Sequence, residues 1–381
     1  MRPDMNDAVL GVKPSAIRVF SALANETPGC IALTLGEPDF DTPMPVRQAA
    51  IDSLIANDTH YIQNNGHIRL REAVCAFERD RYGMDYAPDE VIVTSGATEG
   101  LFAALFSIIR PGDEVLVPTP AFGLYRSIIE LCRGVFRPIP TEEDGFQLSA
   151  EAVKRALTPR TKALILNSPN NPTGCVYTEE TLKALHDVLK DAPVFVITDD
   201  VYRQLCYLGG DAPSFSIYRD MRDRLIVVQS FSKPYAMTGW RLGYLLCDRD
   251  VALQIGKVHQ FSVVSTASFS QKAGIQAFSE DPTPMRETYR ARRDYALSRL
   301  DAMGLECVAP QGAFYLFPSI ARFGMDSETF CRRMIAEAGL ATTPGSCFGC
   351  EGHIRLTYCY SMDQLREGLD RLARFIHILE S

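Results

Sequence analysis

The chain has 381 residues, too many for one compact core; at ~100–200 residues per domain, two domains are expected. Its 46% hydrophobic and 23% charged residues are those of a soluble globular protein and exclude disorder, collagen or coiled coil as whole-chain descriptions. A net charge of −8 gives no general attraction to nucleic acid or acidic membranes, and no run of ~18 apolar residues offers a membrane span. A cytoplasmic location is expected, with neither nucleic acid nor membrane as partner. Only eight of the 39 basic residues are lysines, so a lysine in an apolar or small-residue setting needs a reason. The eleven cysteines are scattered. Cys347-Phe348-Gly349-Cys350 is a C-x-x-C without a second pair, which reads as reduced thiols rather than a zinc site; no metal is expected.

In chain order, the first ~45 residues read as irregular. Within them a short strand at 33–40 runs into a turn marked by Gly36 and Pro38. Residues 45–57 read as a helix with Pro45 in its first turn. From residue 90 short apolar, β-branched runs recur at 91–94, 115–117, 135–139, 163–167, 194–198, 225–229 and 241–246. Amphipathic stretches separate several of them, at 99–110, 178–190 and on the approach to Arg224. That alternation predicts an α/β domain with a mostly parallel sheet. Residues 284–303 read as one long polar-faced helix, and 362–379 as a closing amphipathic helix. A second, smaller domain is expected there.

Ligands of parallel α/β sheets bind beyond the carboxyl ends of the strands. Four strand ends carry unusual residue types. Strand 91–94 runs into Ser95-Gly96-Ala97-Thr98-Glu99-Gly100 at a helix start, which suits a phosphate or is a plain capped turn. Strand 163–167 runs into Asn167-Ser168-Pro169-Asn170-Asn171-Pro172-Thr173-Gly174, a rigid polar loop or an Asn/Pro turn. Strand 194–198 ends in Asp199-Asp200 with Tyr202 following, an acid that needs a partner there or caps the next segment. Strand 225–229 ends in Ser230-Phe231-Ser232-Lys233-Pro234. Lys233 has small and apolar flanks with no acid nearby, so it is a desolvated nucleophile or an exposed loop lysine. A phosphate cradle, a nucleophilic lysine and an acid that keeps a ring nitrogen protonated are together what pyridoxal 5′-phosphate requires.

On these residues the sequence resembles the class I/II aminotransferases of the pyridoxal-phosphate fold type I. The most specific matches are the loop 167–174, Asp199 with Tyr202, and Ser230-x-x-Lys233 followed by Met237-Thr238-Gly239-Trp240-Arg241-Leu242-Gly243. The resemblance implies a mostly parallel seven-stranded sheet in a large cofactor-binding domain at 46–280. The smaller α+β domain would be built from both termini, 1–45 and 281–381. It further implies that Lys233 is the Schiff-base lysine and moves the substrate proton, and that Asp199 pairs with the ring nitrogen. Asn171 and Tyr202 would bond the ring oxygen. Ser95, Gly96, Ala97, Ser230 and Arg241 would hold the phosphate, and Phe122 would stack on the ring. Arg355 would clamp the substrate carboxylate, Gly36 would let the N-terminal segment close over it, and Tyr61 would reach the cofactor phosphate of the neighbouring subunit in a homodimer. Phe122 stands where many members carry Tyr or Trp, so a polar handle is lost. Thr98 stands where an aspartate-specific branch carries lysine. The activity implied is a ping-pong transfer from an L-amino acid to a 2-oxo acid, 2-oxoglutarate or pyruvate. Aromatic, alanine-type or other neutral donors come first, with aspartate as an alternative. A cysteine-S-conjugate β-lyase or related eliminase, and a non-enzymatic cofactor-sensing regulator, are the rival readings.

Overall fold

The apolar runs that suggested strands alternate between two cores, one on each face of a sheet. Val91 and Val93 enter one core while Ile92 enters the other; Leu164 and Leu166 oppose Ala163 and Ile165 in the same way. This is the period-two pattern of a strand covered on both faces. The computed structural model describes residues 3–381. Its strands are β1 (Ile31–Ala32), β2 (Val91–Thr94), β3 (Glu114–Thr119), β4 (Val135–Pro140), β5 (Thr161–Asn167), β6 (Phe195–Asp199), β7 (Leu225–Ser230), β8 (Gly243–Cys247), β9 (Tyr315–Leu316), β10 (Leu340–Ala341), β11 (Thr343–Pro344) and β12 (Ile354–Thr357). Seven of them form one sheet in the order β2-β8-β7-β6-β5-β3-β4. Every neighbouring pair is parallel except the two that involve β8. The expected mostly parallel seven-stranded α/β sheet is therefore present.

A third core joins the two ends of the chain. Phe20, Ala24 and Leu33 share it with Tyr289, Leu300, Phe330, Leu369 and Phe375, and with Tyr202 and Leu205 from the central segment. Parallel pairing of β1 with β10 reinforces that connection. A three-stranded antiparallel sheet, β11-β12-β9, lies in the same C-terminal part. No described helix is long and apolar enough to cross a membrane.

Three local expectations are corrected. The first ~45 residues are not irregular, because Asp7–Gly11 and Ala16–Glu26 are helices. The second buries Phe20 and Ala24, four residues apart on one face. The strand expected at 33–40 is only β1, ahead of it. Beyond β1 the Leu33 carbonyl accepts from the Thr357 amide and the Thr34 carbonyl accepts from the Arg355 side chain, so no ladder continues. The approach to Arg224 is not an amphipathic helix. It consists of two short 3₁₀ turns, Phe215–Ile217 and Arg219–Arg224, broken at Tyr218 by a non-helical φ/ψ of −80°/85°.

Candidate active site

The strand order reverses between β3 and β5, because the chain goes from β3 to β4 on one side and from β5 to β6 and β7 on the other. Carboxyl ends of strands at such a reversal form a crevice. A cavity of about 690 Å³ opens there, lined by Phe122, Asn167, Asn171, Asp199, Ser230 and Lys233 from the strand ends. Gly36, Arg355 and Tyr315 close it from the part of the chain that holds the third core. A larger cleft, about 1060 Å³, lies at Arg81, Lys183, His186 and Asp211 and contains none of these side chains.

Asp199 is the last residue of β6, in register with Asn167 of β5. Its carboxylate is buried and accepts a 2.7 Å hydrogen bond from the Tyr125 hydroxyl. The Asn167 amide holds the Asp199 carbonyl at 2.9 Å, and the Asn171 N–H donates to Asn167 Oδ1 at 3.0 Å. Burial pushes the Asp199 carboxyl up to about 6, against the hydrogen bond from Tyr125. No described cation forms an ion pair with it. The neighbouring Asp200 points elsewhere, to Arg203 at 3.6 Å and to the Ser214 and Thr198 hydroxyls. Of the two adjacent acids, Asp199 alone lines the cavity.

Lys233 follows the end of β7. Its Nζ donates to the Gly36 carbonyl at 2.5 Å and lies within 6 Å of the Tyr202 and Phe314 ring centres. Burial lowers the ammonium to about 8, and the positive charges of Arg355 and Arg241 act in the same direction. About a tenth of such an amine is neutral at pH 7, against well under a thousandth of an ordinary lysine. Gly36 owes its place to Tyr315: a Cβ there would lie 2.0 Å from the Tyr315 hydroxyl oxygen. That hydroxyl pairs with Tyr202 at 2.6 Å.

Arg355 sits in β12 and is buried. Its guanidinium donates to Asn171 Oδ1 at 2.8 Å and to the Thr34 carbonyl at 2.5 Å, between the rings of Tyr315 and Phe348. All of these partners are neutral, Nε has none, and no described carboxylate forms a salt bridge with it. A buried guanidinium without a counter-ion is a site for a carboxylate.

The helix Gly96–Ile108 starts directly after β2 and Ser95, and no side chain caps it. Its first N–H groups are therefore available to an anion. Gly96 has φ +77°, and a Cβ on it would stand 2.6 Å from Arg241 Nη2. The bare glycine is what lets Arg241 lie over the helix start. Arg241 itself has φ +50°, which is why the strand read at 241–246 begins only at Gly243.

Sequence-derived candidates converge here with two exceptions. Ala97, Phe122, Asn171, Asp199, Tyr202, Ser230, Lys233, Arg241, Gly36 and Arg355 line one cavity, with Gly96 packed under Arg241. Ser95 lines an adjoining cleft with Arg241 and Trp240, and its N–H is held by Glu99 at 3.0 Å. Tyr61 lies outside the cavity and is 89% exposed. Tyr125 and Tyr315 were not among the sequence-derived candidates, and Asn167 entered only as the first residue of the loop 167–174, with no role of its own.

The family model for aminotransferase class I and II matches residues 28–372. The chain belongs to the class I and II aminotransferases. It is 43% identical over 378 residues to a probable N-acetyl-LL-diaminopimelate aminotransferase of Bacillus subtilis, covering 98% of this chain and 95% of that one. It is 38% identical to the aspartate/prephenate aminotransferase of Thermus thermophilus, covering 97% of each. The structure of Thermus thermophilus aspartate aminotransferase with maleate superposes with a TM-score of 0.93 at 37% identity, covering 98% of this chain and 100% of that one. All of these relatives are named for amino-group transfer, so the β-lyase reading is not favoured. This aminotransferase is thus similar over its whole length to enzymes named for different donors.

Proposed function

We propose that this aminotransferase uses pyridoxal 5′-phosphate to exchange amino groups, in a ping-pong cycle, between an L-amino acid and a 2-oxo acid such as 2-oxoglutarate or pyruvate. The observation that carries this reading is one cavity holding a buried amine of lowered pKa, a buried acid without a cation and a buried guanidinium without an anion. The donor set fits the cofactor. The N–H groups of Gly96 and Ala97, with Ser95, Ser230 and Arg241, would hold its phosphate. Asp199 would hold the ring nitrogen, Asn171 and Tyr202 the ring oxygen, Phe122 the ring face, and Lys233 the covalent link. When bound, that group supplies an electron sink that makes the substrate Cα–H acidic.

The chain's own residues do the rest. Arg355 binds the substrate carboxylate, and Asn171 is the contact that must yield or share. Lys233, partly neutral near pH 7, takes the proton from substrate Cα and holds it for return. Asp199 stays anionic through the Tyr125 hydrogen bond. Gly36 lets the segment after β1 cover the site.

The donor side of the cavity is formed by Ile17, Arg18, Ser21, Ala22 and Asn25 of the helix Ala16–Glu26, together with Thr98. The Arg18 side chain makes no hydrogen bond or ion pair with any described residue; its backbone N–H is held by the Ser15 carbonyl at 3.0 Å. An acidic group at the far end of the donor side chain would find Arg18, which raises donors with a second carboxylate above neutral and aromatic ones. Aspartate and N-acetyl-LL-diaminopimelate both have one. Mixing each candidate amino acid with holoenzyme and following the cofactor's absorbance tests this reading. Acidic donors should react fastest, Arg18→Ala should slow them selectively, and failure of every amino acid would refute the activity.

Three further assignments belong to the proposal. The chain divides at residues 45 and 280 into a large domain and a small one built from both ends. It forms a homodimer that covers Ile55, Tyr61 and Phe261, which are 79%, 89% and 87% exposed, and brings Tyr61 to the partner's phosphate. It works in the cytoplasm, consistent with eleven free cysteines. Light scattering should give twice the chain mass.

A further inference from the structure

Away from the cavity, three metal-ligating side chains meet. Glu142 belongs to the short turn Glu142–Asp144 that follows β4, the edge strand of the seven-stranded sheet. Cys350 and His353 belong to the loop that leads into β12. Cys350 Sγ lies 3.3 Å from Glu142 Oε2 and 3.6 Å from His353 Nδ1. His353 Nδ1 lies 3.8 Å from Glu142 Oε1. One ligand atom from each residue falls within 4.8 Å of the others.

The two spacings to Cys350 are close to what a zinc-class ion imposes, while Glu142 meets His353 through its other oxygen at 3.8 Å and would close in on binding. With Zn–S of ~2.3 Å and Zn–N or Zn–O of ~2.0–2.2 Å, tetrahedral angles set ligand atoms ~3.4–3.6 Å apart. A thiolate, an imidazole and a carboxylate also form a donor set that a borderline divalent ion prefers over calcium or magnesium. The imidazole is held in place. It stacks on Phe317 with ring centres 4.8 Å apart and planes 6° apart, and Phe146 packs edge-on against it. Cys350 and His353 are buried while Glu142 is exposed, so a fourth position would open to water. Cys347, the other member of the C-x-x-C, contributes no ligand atom. The pairing suggested by sequence spacing is replaced by one that folding creates.

We propose that Glu142, Cys350 and His353 form a site for a zinc-class divalent cation that ties the turn after β4 to the strand carrying Arg355. Binding replaces the Cys350 thiol proton, which is released to water. Nδ1 supplies its lone pair, so the neutral His353 ring carries its proton on Nε2 and gives up the 3.2 Å contact of Nδ1 with the Glu351 carbonyl. His353 is two residues from Arg355, and its carbonyl accepts from the Gly345 N–H at 2.8 Å. A cation there fixes the base of β12 against the large sheet. The site is independent of the cofactor and donor assignments.

The test uses holoenzyme freed of adventitious metal with a chelator and dialysed. Cobalt(II) is titrated in, and its visible ligand-field bands, to the red of cofactor absorbance, report tetrahedral thiolate coordination. One equivalent per chain should give the bands, and zinc should displace them. Zinc should also raise the unfolding midpoint. Cys350→Ser should abolish the bands and the midpoint shift, and His353→Asn should weaken affinity at least tenfold. Glu142 is exposed, so Glu142→Gln keeps the fold; it should weaken affinity about tenfold while leaving metal-free turnover within twofold of the parent. Absence of saturable tetrahedral bands in the parent, or identical bands in Cys350→Ser and Glu142→Gln, would overturn the proposal.

Discussion

Arg355 is a buried cation whose partners are all neutral, which makes Arg355→Met an informative perturbation. In the free protein the guanidinium has Asn171, the Thr34 carbonyl and two ring faces, with Nε unpartnered. Removing one side of a buried, hydrogen-bonded charge pair costs about 3–5 kcal/mol. If the substrate carboxylate is the missing partner, kcat/KM should fall about a hundred- to several-thousand-fold at ~1.4 kcal/mol per decade. The loss should be similar for the amino acid and the oxo acid, since both present a carboxylate. A primary amine without a carboxylate should lose less than tenfold. Stability should respond differently. Methionine removes a desolvated charge as well as two hydrogen bonds, so unfolding free energy should change by no more than about 2 kcal/mol in either direction. The assays are single-turnover kinetics on both half-reactions and denaturant melts. Equal losses for carboxylated and uncarboxylated amines, or less than a tenfold loss for all, would refute the role.

Three other outcomes follow from the same geometry. Tyr125→Phe removes the 2.7 Å hydrogen bond that favours ionised Asp199, so the carboxyl should rise above about 6 and cofactor affinity should weaken several-fold at pH 6 but little at pH 8. An equal effect at both pH values would count against that link. Gly96→Ala places a Cβ 2.6 Å from Arg241 Nη2 at φ +77°; cofactor titration should show at least tenfold weaker binding, and melts a loss of about 1–2 kcal/mol. The folded Lys233 ammonium, at about 8, lies below its unfolded value near 10.4, so the unfolded state binds more protons between those values. Apoenzyme stability should therefore rise across that window relative to Lys233→Met, by at most about 1.4 kcal/mol per pH unit. A flat difference between the two melts would contradict the buried, depressed amine.

Much of the site was legible because its chemistry sits at strand ends, where residue type and position inform together. Asp199, Lys233 and Asn171 stand out as polar residues closing apolar runs, and the sheet brings them to one edge by simple register: Asn167 beside Asp199, Asp199 beside Val228. Tyr125 was not legible. It lies on the buried face of an amphipathic helix, Leu124–Leu131, beside Ile128 and Ile129, and only the tertiary fold turns its hydroxyl to Asp199. The helix Ala16–Glu26 was missed although Phe20 and Ala24 are buried on one face and its amphipathic period is as clear as that of Glu179–Leu189, which was read. The antiparallel setting of β8 between β2 and β7 leaves no trace in an apolar run that is buried on both faces. Glu142, Cys350 and His353 lie on two loops more than 200 residues apart, and no local pattern could have joined them.

The central claim is that Lys233, alone among eight lysines, carries the covalent link to the cofactor. Borohydride reduction of the holoenzyme fixes that link, and peptide mass spectrometry locates it. The label should appear on the peptide containing Lys233 and be absent in Lys233→Ala. A label on any other lysine, or retention of the label in that variant, would contradict the account.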